Sequence, residues 1–101
     1  MNINKDIIEA IEAIEKNTSL FYQQKDKEGY DQFDHTLGIL MQTVNQLSVN
    51  KSEYNEIHID EQTLNTILGN AMNAIESGDT ILLSDILYFD LKPLLEECLI
   101  N

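Results

Sequence analysis

The sequence predicts an all-α fold: a four-helix bundle made of two helical hairpins, with the fourth helix kinked at Pro93. Three observations predict it. Apolar residues recur at steps of three and four through four stretches of the chain. Polar turns separate the stretches, at Lys25-Asp26-Lys27-Glu28-Gly29 and at Ser77-Gly78-Asp79, with one longer polar connection between the hairpins. Pro93 is the only proline, and it falls inside the last stretch.

The first helix is expected from about Lys5 to Gln24, with Asn4 as its N-cap. Ile7, Ile8, Ile11, Ile14 and Phe21 form its apolar side. Asp6, Glu9, Glu12 and Glu15 form a row on the other side, and the Glu12–Lys16 spacing supports the helix. A row of carboxylates raises metal or acid–base chemistry. No apolar or cationic neighbour in the sequence perturbs these groups, so the row reads as a solvated face.

The second helix carries Tyr30, Phe33, Leu37, Leu40, Met41, Val44 and Leu47, the clearest amphipathic pattern in the chain. Gly38 inside it costs about 1 kcal/mol against alanine. A close helix crossing at Gly38 would explain the missing side chain. Ser48 to Ile59 is the least patterned segment and reads as the long connection, tacked to the core by Val49, Tyr54 and Ile57.

Asp60 is placed to cap the third helix, with Glu61 in its first turn. Leu64, Ile67, Leu68, Ala71, Met72 and Ile75 follow at helical spacing. The helix ends at Ser77-Gly78, where glycine can turn left-handed, and Asp79 caps the next. The two hairpins share apolar positions at one offset: Ile11 with Leu64, Ile14 with Ile67, Phe33 with Ile86, Met41 with Leu94. That offset exceeds the ~34 residues of a tetratricopeptide unit, and the consensus of such units is missing. A shared hairpin pattern accounts for the match.

The fourth helix is apolar on almost every side. One stripe is Leu83, Leu87, Leu94 and Cys98. A second is Ile81, Tyr88, Leu95 and Leu99. A third holds Leu82, Ile86 and Phe89. A helix apolar all round is buried on several sides. The first stripe is expected to face the chain's own core. The second, Ile81, Tyr88, Leu95 and Leu99, is the candidate interface that another chain covers, in a homodimer with this helix near the two-fold axis. Pro93 leaves the Phe89 carbonyl without its helical donor, so a kink there, or a restart with Pro93 in the first turn, is expected.

Composition bounds the function. The 101 residues are expected to form one domain over 1–101, and 43% hydrophobic content supplies a core despite a net charge of -12. The six basic residues are all lysine. Phosphate backbones need cationic surface, so no nucleic-acid or anionic-membrane partner is expected. The N-terminal residues carry no secretory pattern, and Asp85, Asp90 and Lys92 interrupt the longest apolar run, so the expected location is the cytoplasm.

No catalytic, cofactor-binding or metal-ligating set emerges. Asp31 and His35 share a helix face, but the Glu-x-x-His ligands of di-iron bundles are missing, and His58 falls in the connection. Cys98 lies beside Glu96 and Glu97, which disfavour a thiolate. Tyr22, Tyr30, Phe33 and Tyr88 read as core aromatics before pocket-lining ones. No phosphate-binding loop, dinucleotide fingerprint or nucleophile elbow appears.

The run Gly78-Asp79-x-x-Leu82-Leu83-x-Asp85-x-Leu87-x-x-x-Leu91-x-Pro93-Leu94-Leu95-Glu96-Glu97 resembles a pattern in uncharacterised small acidic helical proteins of Gram-positive bacteria. Lys27-Glu28-Gly29-Tyr30 adds to the resemblance. It implies a helical, cytoplasmic bacterial protein and carries over no catalytic residue. Size and charge alone are similar to those of flagellar and secretion chaperones. The expected function is therefore a non-enzymatic helical interaction or adaptor protein that self-associates through its C-terminal helix. The alternatives are a chaperone that holds an amphipathic segment of an exported protein, and a bundle that binds a small ligand or metal.

Overall fold

A computed structural model describes residues 3–50 and 60–99. The fold is an all-α four-helix bundle. Helix α1 spans Ile3–Tyr22, α2 Asp26–Asn50 and α3 Glu61–Glu76. The fourth helix of the bundle consists of three consecutive pieces: α4 (Thr80–Asp85), a π-helical turn (Ile86–Leu91) and α5 (Lys92–Glu97).

The first hairpin closes through two matching seams. On α1 the buried residues Ile3, Ile7, Ala10, Ile14, Asn17 and Phe21 alternate steps of four and three. On α2 Phe33, Thr36, Leu40, Thr43 and Leu47 alternate three and four. This is the spacing of two helices packed side by side at a shallow angle. Helix α1 is already helical at Ile3, so Asn4 sits inside it and is not its cap.

The turn is also shorter than expected. It occupies Gln23–Lys25, and Gln24 takes the left-handed conformation at φ 61°. Gly29 therefore lies within α2, where a Cβ would stand 2.5 Å from Phe21 Cε1. The close crossing expected at Gly38 occurs here, one turn into α2, because the large Phe21 ring closes the seam. A Cβ at Gly38 would meet no atom within 4 Å. Asn17 Nδ2 donates to the Gly29 carbonyl at 3.0 Å, and the Phe21 and Tyr30 rings meet edge to face at 5.3 Å.

Helix α2 runs on to Asn50, so the connection begins later than Ser48. The tacking side chains of Val49, Tyr54 and Ile57 lie outside the described residues, as does His58. Asp60 caps α3 by accepting from the Gln62 and Thr63 amides at 3.0 and 3.2 Å. Gly78 ends the helix at φ 69°, and Asp79 caps α4 by accepting from the Leu82 amide at 2.9 Å.

In the fourth helix the hydrogen-bond register changes before the proline. The Lys92 amide donates to the Leu87 carbonyl, five residues back, and Pro93 then stands in the first turn of α5. Each residue of a π turn advances the helix by less than the ~100° of an α-helix. Six such residues delay the buried face. Leu95, which a uniform α-helix carries to the outer side, comes round onto the core and is 0% exposed. Leu91, Leu94 and Cys98 are buried with it.

The helices are arranged around an incomplete ring. Helix α1 packs against α2 on one side and against α4, the π turn and α5 on the other. Helix α3 packs on α4 and the π turn. Among the described residues, α2 and α3 do not pack closely on each other.

Candidate functional site

That unsealed side of the bundle is an apolar groove of about 380 Å³, lined by Leu37, Leu40, Met41, Val44, Asn45 and Ser48 of α2 and by Leu68 of α3. Its origin is local. Helix α2 carries two apolar stripes. The seam Phe33-Thr36-Leu40-Thr43-Leu47 is buried, Val44 beside it is half-buried against the core, and Leu37 and Met41 are exposed among the described residues. On α3 the seam Leu64-Ile67-Ala71-Ala74 is buried, Leu68 is half-buried against the core, and Met72 projects. Met41 is 66% exposed and Met72 54%.

The two walls share a pattern that periodicity alone did not single out. Leu37-Gly38-Ile39-Leu40-Met41 and Leu68-Gly69-Asn70-Ala71-Met72 both read Leu-Gly-x-x-Met. In each, the leucine borders the groove, the methionine projects, and the glycine is exposed. A Cβ at either glycine would meet nothing within 4 Å, so packing within the described residues does not explain them. Each costs its helix about 1 kcal/mol against alanine. Reading every apolar position of α2 as core hid this stripe. The signal for it was that α2 has more apolar positions than one seam can use.

The candidate interface on the fourth helix is divided by the structure. Ile81 is exposed, Tyr88 and Leu99 are half-buried, and Leu95 is fully buried. Leu95 therefore drops out of that surface, for the reason of register given above. Leu82 and Phe89, from the third stripe, are exposed instead, and Phe89 is 64% exposed. The stripe assigned to the core, Leu83, Leu87, Leu94 and Cys98, is buried.

A second, polar hollow of about 400 Å³ lies between α1 and the fourth helix, with Tyr22 and Tyr88 among its walls. The Tyr22 hydroxyl donates to Asp85 Oδ1 at 2.6 Å. Lys92 Nζ donates to Glu15 Oε2 at 3.2 Å and stands 4.3 Å from the centre of the Tyr88 ring. Glu15 is thus paired with the fourth helix. Of the other aromatics, Phe33 is core and Tyr30 packs on Phe21.

Three of the described groups are held toward their protonated forms. Partial burial pushes the Tyr22 phenol up to about 12, reinforced by its hydrogen bond to Asp85. The hydrogen bond to Glu15 raises Lys92, which keeps it an ammonium. Burial raises the Cys98 thiol, and Glu97 adds to the rise. Its Sγ donates to the Leu94 carbonyl at 3.4 Å.

His35 faces α1 across a shallow hollow shared with Glu9, Glu12 and Lys16. Among the described residues no group of three or more His, Cys, Asp or Glu side chains converges as a metal site. No described helix is long and apolar enough to cross a membrane.

No curated protein and no solved structure matches the chain. One family model does, and it extends over residues 2–100, from before α1 to beyond α5. The chain that forms this bundle belongs to the family described as Domain of unknown function (DUF8042).

Proposed function

We propose that this protein is a non-enzymatic helical interaction protein that docks a helix of another protein in the groove between α2 and α3. The observation that carries the reading is the groove itself. Three sides of the bundle are closed by helix packing and the fourth presents Leu37, Met41, Val44 and Leu68. Methionine adapts its shape to a partner, and helix-in-groove binding uses such surfaces. The raised pKa values of Tyr22, Lys92 and Cys98 support a structural role for those groups over a catalytic one.

A photo-crosslinking amino acid at position 41, introduced in the native host, tests the reading. The expected product is a heterologous adduct whose crosslinked peptide is an amphipathic helical segment, and which is lost when Leu68 is changed to Gln. Adducts only with a second copy of this chain at position 41 would overturn it.

Self-association is a second reading, favoured by exposed Ile81, Leu82 and Phe89 on the fourth helix. These residues are remote in sequence from the groove walls. A homodimer through the fourth helix would leave the groove free for a different protein.

A further inference from the structure

Pro93 is exposed, so it fills no part of the core, and it acts on the fold through its backbone. Inside a continuous α-helix it would leave the Phe89 carbonyl without a donor, and its ring would press on that turn. The segment just before it avoids this. There the bonds reach back five residues, as the Lys92 amide does to the Leu87 carbonyl, and Pro93 enters in the first turn of α5.

Side-chain depth measures how far the register has moved. At ~100° per residue, a uniform α-helix carries Leu94 to within ~20° of Leu83 around the axis and Leu95 to ~120° from it. The observed order of depth is the reverse, with Leu95 0% exposed and Leu94 9%. A delay of ~100°, one residue's worth, accounts for both. The π turn therefore holds one residue more than a continuous α-helix would need to bring Leu95 to the core. Asp90 is exposed within the turn, so it is the residue whose loss removes no core side chain.

We propose that Pro93 and this surplus residue form one conformational device that locks the phase of the C-terminal segment. The proline excludes the continuous α register, in which Leu95 turns away from the core. The surplus residue supplies the delay that brings Leu95 inside. Each is a fault in a helix taken alone, a proline in the interior or a residue too many, and each makes the other tolerable. The lock divides the apolar surface of the fourth helix, leaving Phe89 outside before it and placing Leu95 inside after it.

The test is thermal unfolding of the full chain and three variants: Pro93→Ala, a chain lacking Asp90, and the two changes combined. Pro93→Ala alone is expected to lower Tm by about 5 °C, although alanine is by far the better helix former. Loss of Asp90 alone is expected to lower it by about 10 °C or to prevent folding, since Pro93 and Leu95 cannot then both be accommodated. The combined variant should return to within about 3 °C of the natural chain, because a continuous α-helix one residue shorter brings Leu95 to the same place.

Leu95→Ala, placed in each background, reads the register directly. Its loss of Tm should be full in the natural chain and in the combined variant, and about half or less with Pro93→Ala alone, where Leu95 has left the core. A Pro93→Ala chain that gains Tm and keeps the full cost of Leu95→Ala would show that core packing sets the register without the proline, and would overturn the device. A chain that loses Tm but keeps that full cost would reduce Pro93 to its ordinary stiffening of the unfolded chain, and would overturn it too. A combined variant no more stable than the chain lacking Asp90 would show that the turn holds no surplus residue, with the same consequence.

Discussion

Asn17, Thr18, Thr36, Thr43 and Ser84 are polar, yet each is buried as deeply as the isoleucines beside it. The hydroxyls satisfy themselves locally. Thr18, Thr36, Thr43 and Ser84 donate to the carbonyls of Ile14, Gln32, Ile39 and Thr80, each four residues back. They enter the core at the cost of a slightly bent helix and keep the seam narrow. Thr43 also donates across the seam to the Asp6 carbonyl at 3.3 Å, and Asn17 reaches the other helix at Gly29. A polar residue at a core seam position fixes the pairing of two helices at some cost in stability. The same scale decides Leu95. Its burial rests on the π turn, so truncation should open a cavity in the core. Leu95→Ala is expected to lose about 2–5 kcal/mol in urea unfolding, and Phe89→Ala on the exposed side under about 0.5 kcal/mol. Equal losses would place Leu95 back on the outer surface.

Among the elements, the fourth helix depends most on its neighbours. The π turn brings Ile86, Leu87 and Leu91 onto the core just ahead of Pro93. It delivers the chain to the proline with Pro93 in the first turn of the new α segment, a position that its fixed φ suits. Two polar ties from α1 hold this helix in place, Tyr22 to Asp85 and Glu15 to Lys92. Both weaken in alkali. The folded-state pKa of Tyr22, about 12, lies above the ordinary 10.0 of the phenol. Its contribution is therefore complete below pH 10 and is lost as pH rises from 10 to 12. The raised pKa of Lys92 acts in the same direction, above the ordinary lysine value. Tyr22 is partly exposed, so the effect is modest. The Tm difference between the natural chain and Tyr22→Phe should be constant to about pH 10 and shrink above it. A difference that stays constant through pH 11.5 would remove the Tyr22–Asp85 tie from the stability of the folded state.

For the whole molecule, charge and apolar surface oppose each other. A net charge of -12 on 101 residues repels a second copy, while Ile81, Leu82 and Phe89 attract one. Salt screens the first term and leaves the second. Sedimentation velocity at high micromolar concentration should show the apparent mass rising from 11.6 kDa toward twice that value as salt is added. Phe89→Asp should abolish the rise. A strict monomer at every salt concentration would remove self-association and leave the groove untouched. The two surfaces are thus separable by experiment.

Much of the architecture was legible without coordinates. The helix-period stretches, the aspartate caps at Asp60 and Asp79, and the left-handed stop at Gly78 are local features, and local chemistry sets them. The core stripe Leu83-Leu87-Leu94-Cys98 was also readable, because it stays buried on either side of the π turn. What the sequence could not supply is everything that depends on a second helix. A helical wheel shows which faces are apolar, and it does not show which apolar face finds a partner. Leu37 and Met41 look like Phe33 and Leu40 in sequence, yet α1 covers one pair and leaves the other exposed. Gly29 and Gly38 look alike, and only the Phe21 ring distinguishes them. Leu95 moved from surface to core because the hydrogen-bond register slips by one residue over Ile86–Leu91, which a fixed 3.6-residue period cannot express. The sequence by itself determined four helices, the caps at Asp60 and Asp79 and an acidic composition with lysine as its only strong base, since these follow from local propensity and composition. Tertiary packing alone decided which apolar residues of α2 and α3 are covered, because Leu40 and Leu64 meet a neighbouring helix while Met41 and Met72 stay exposed.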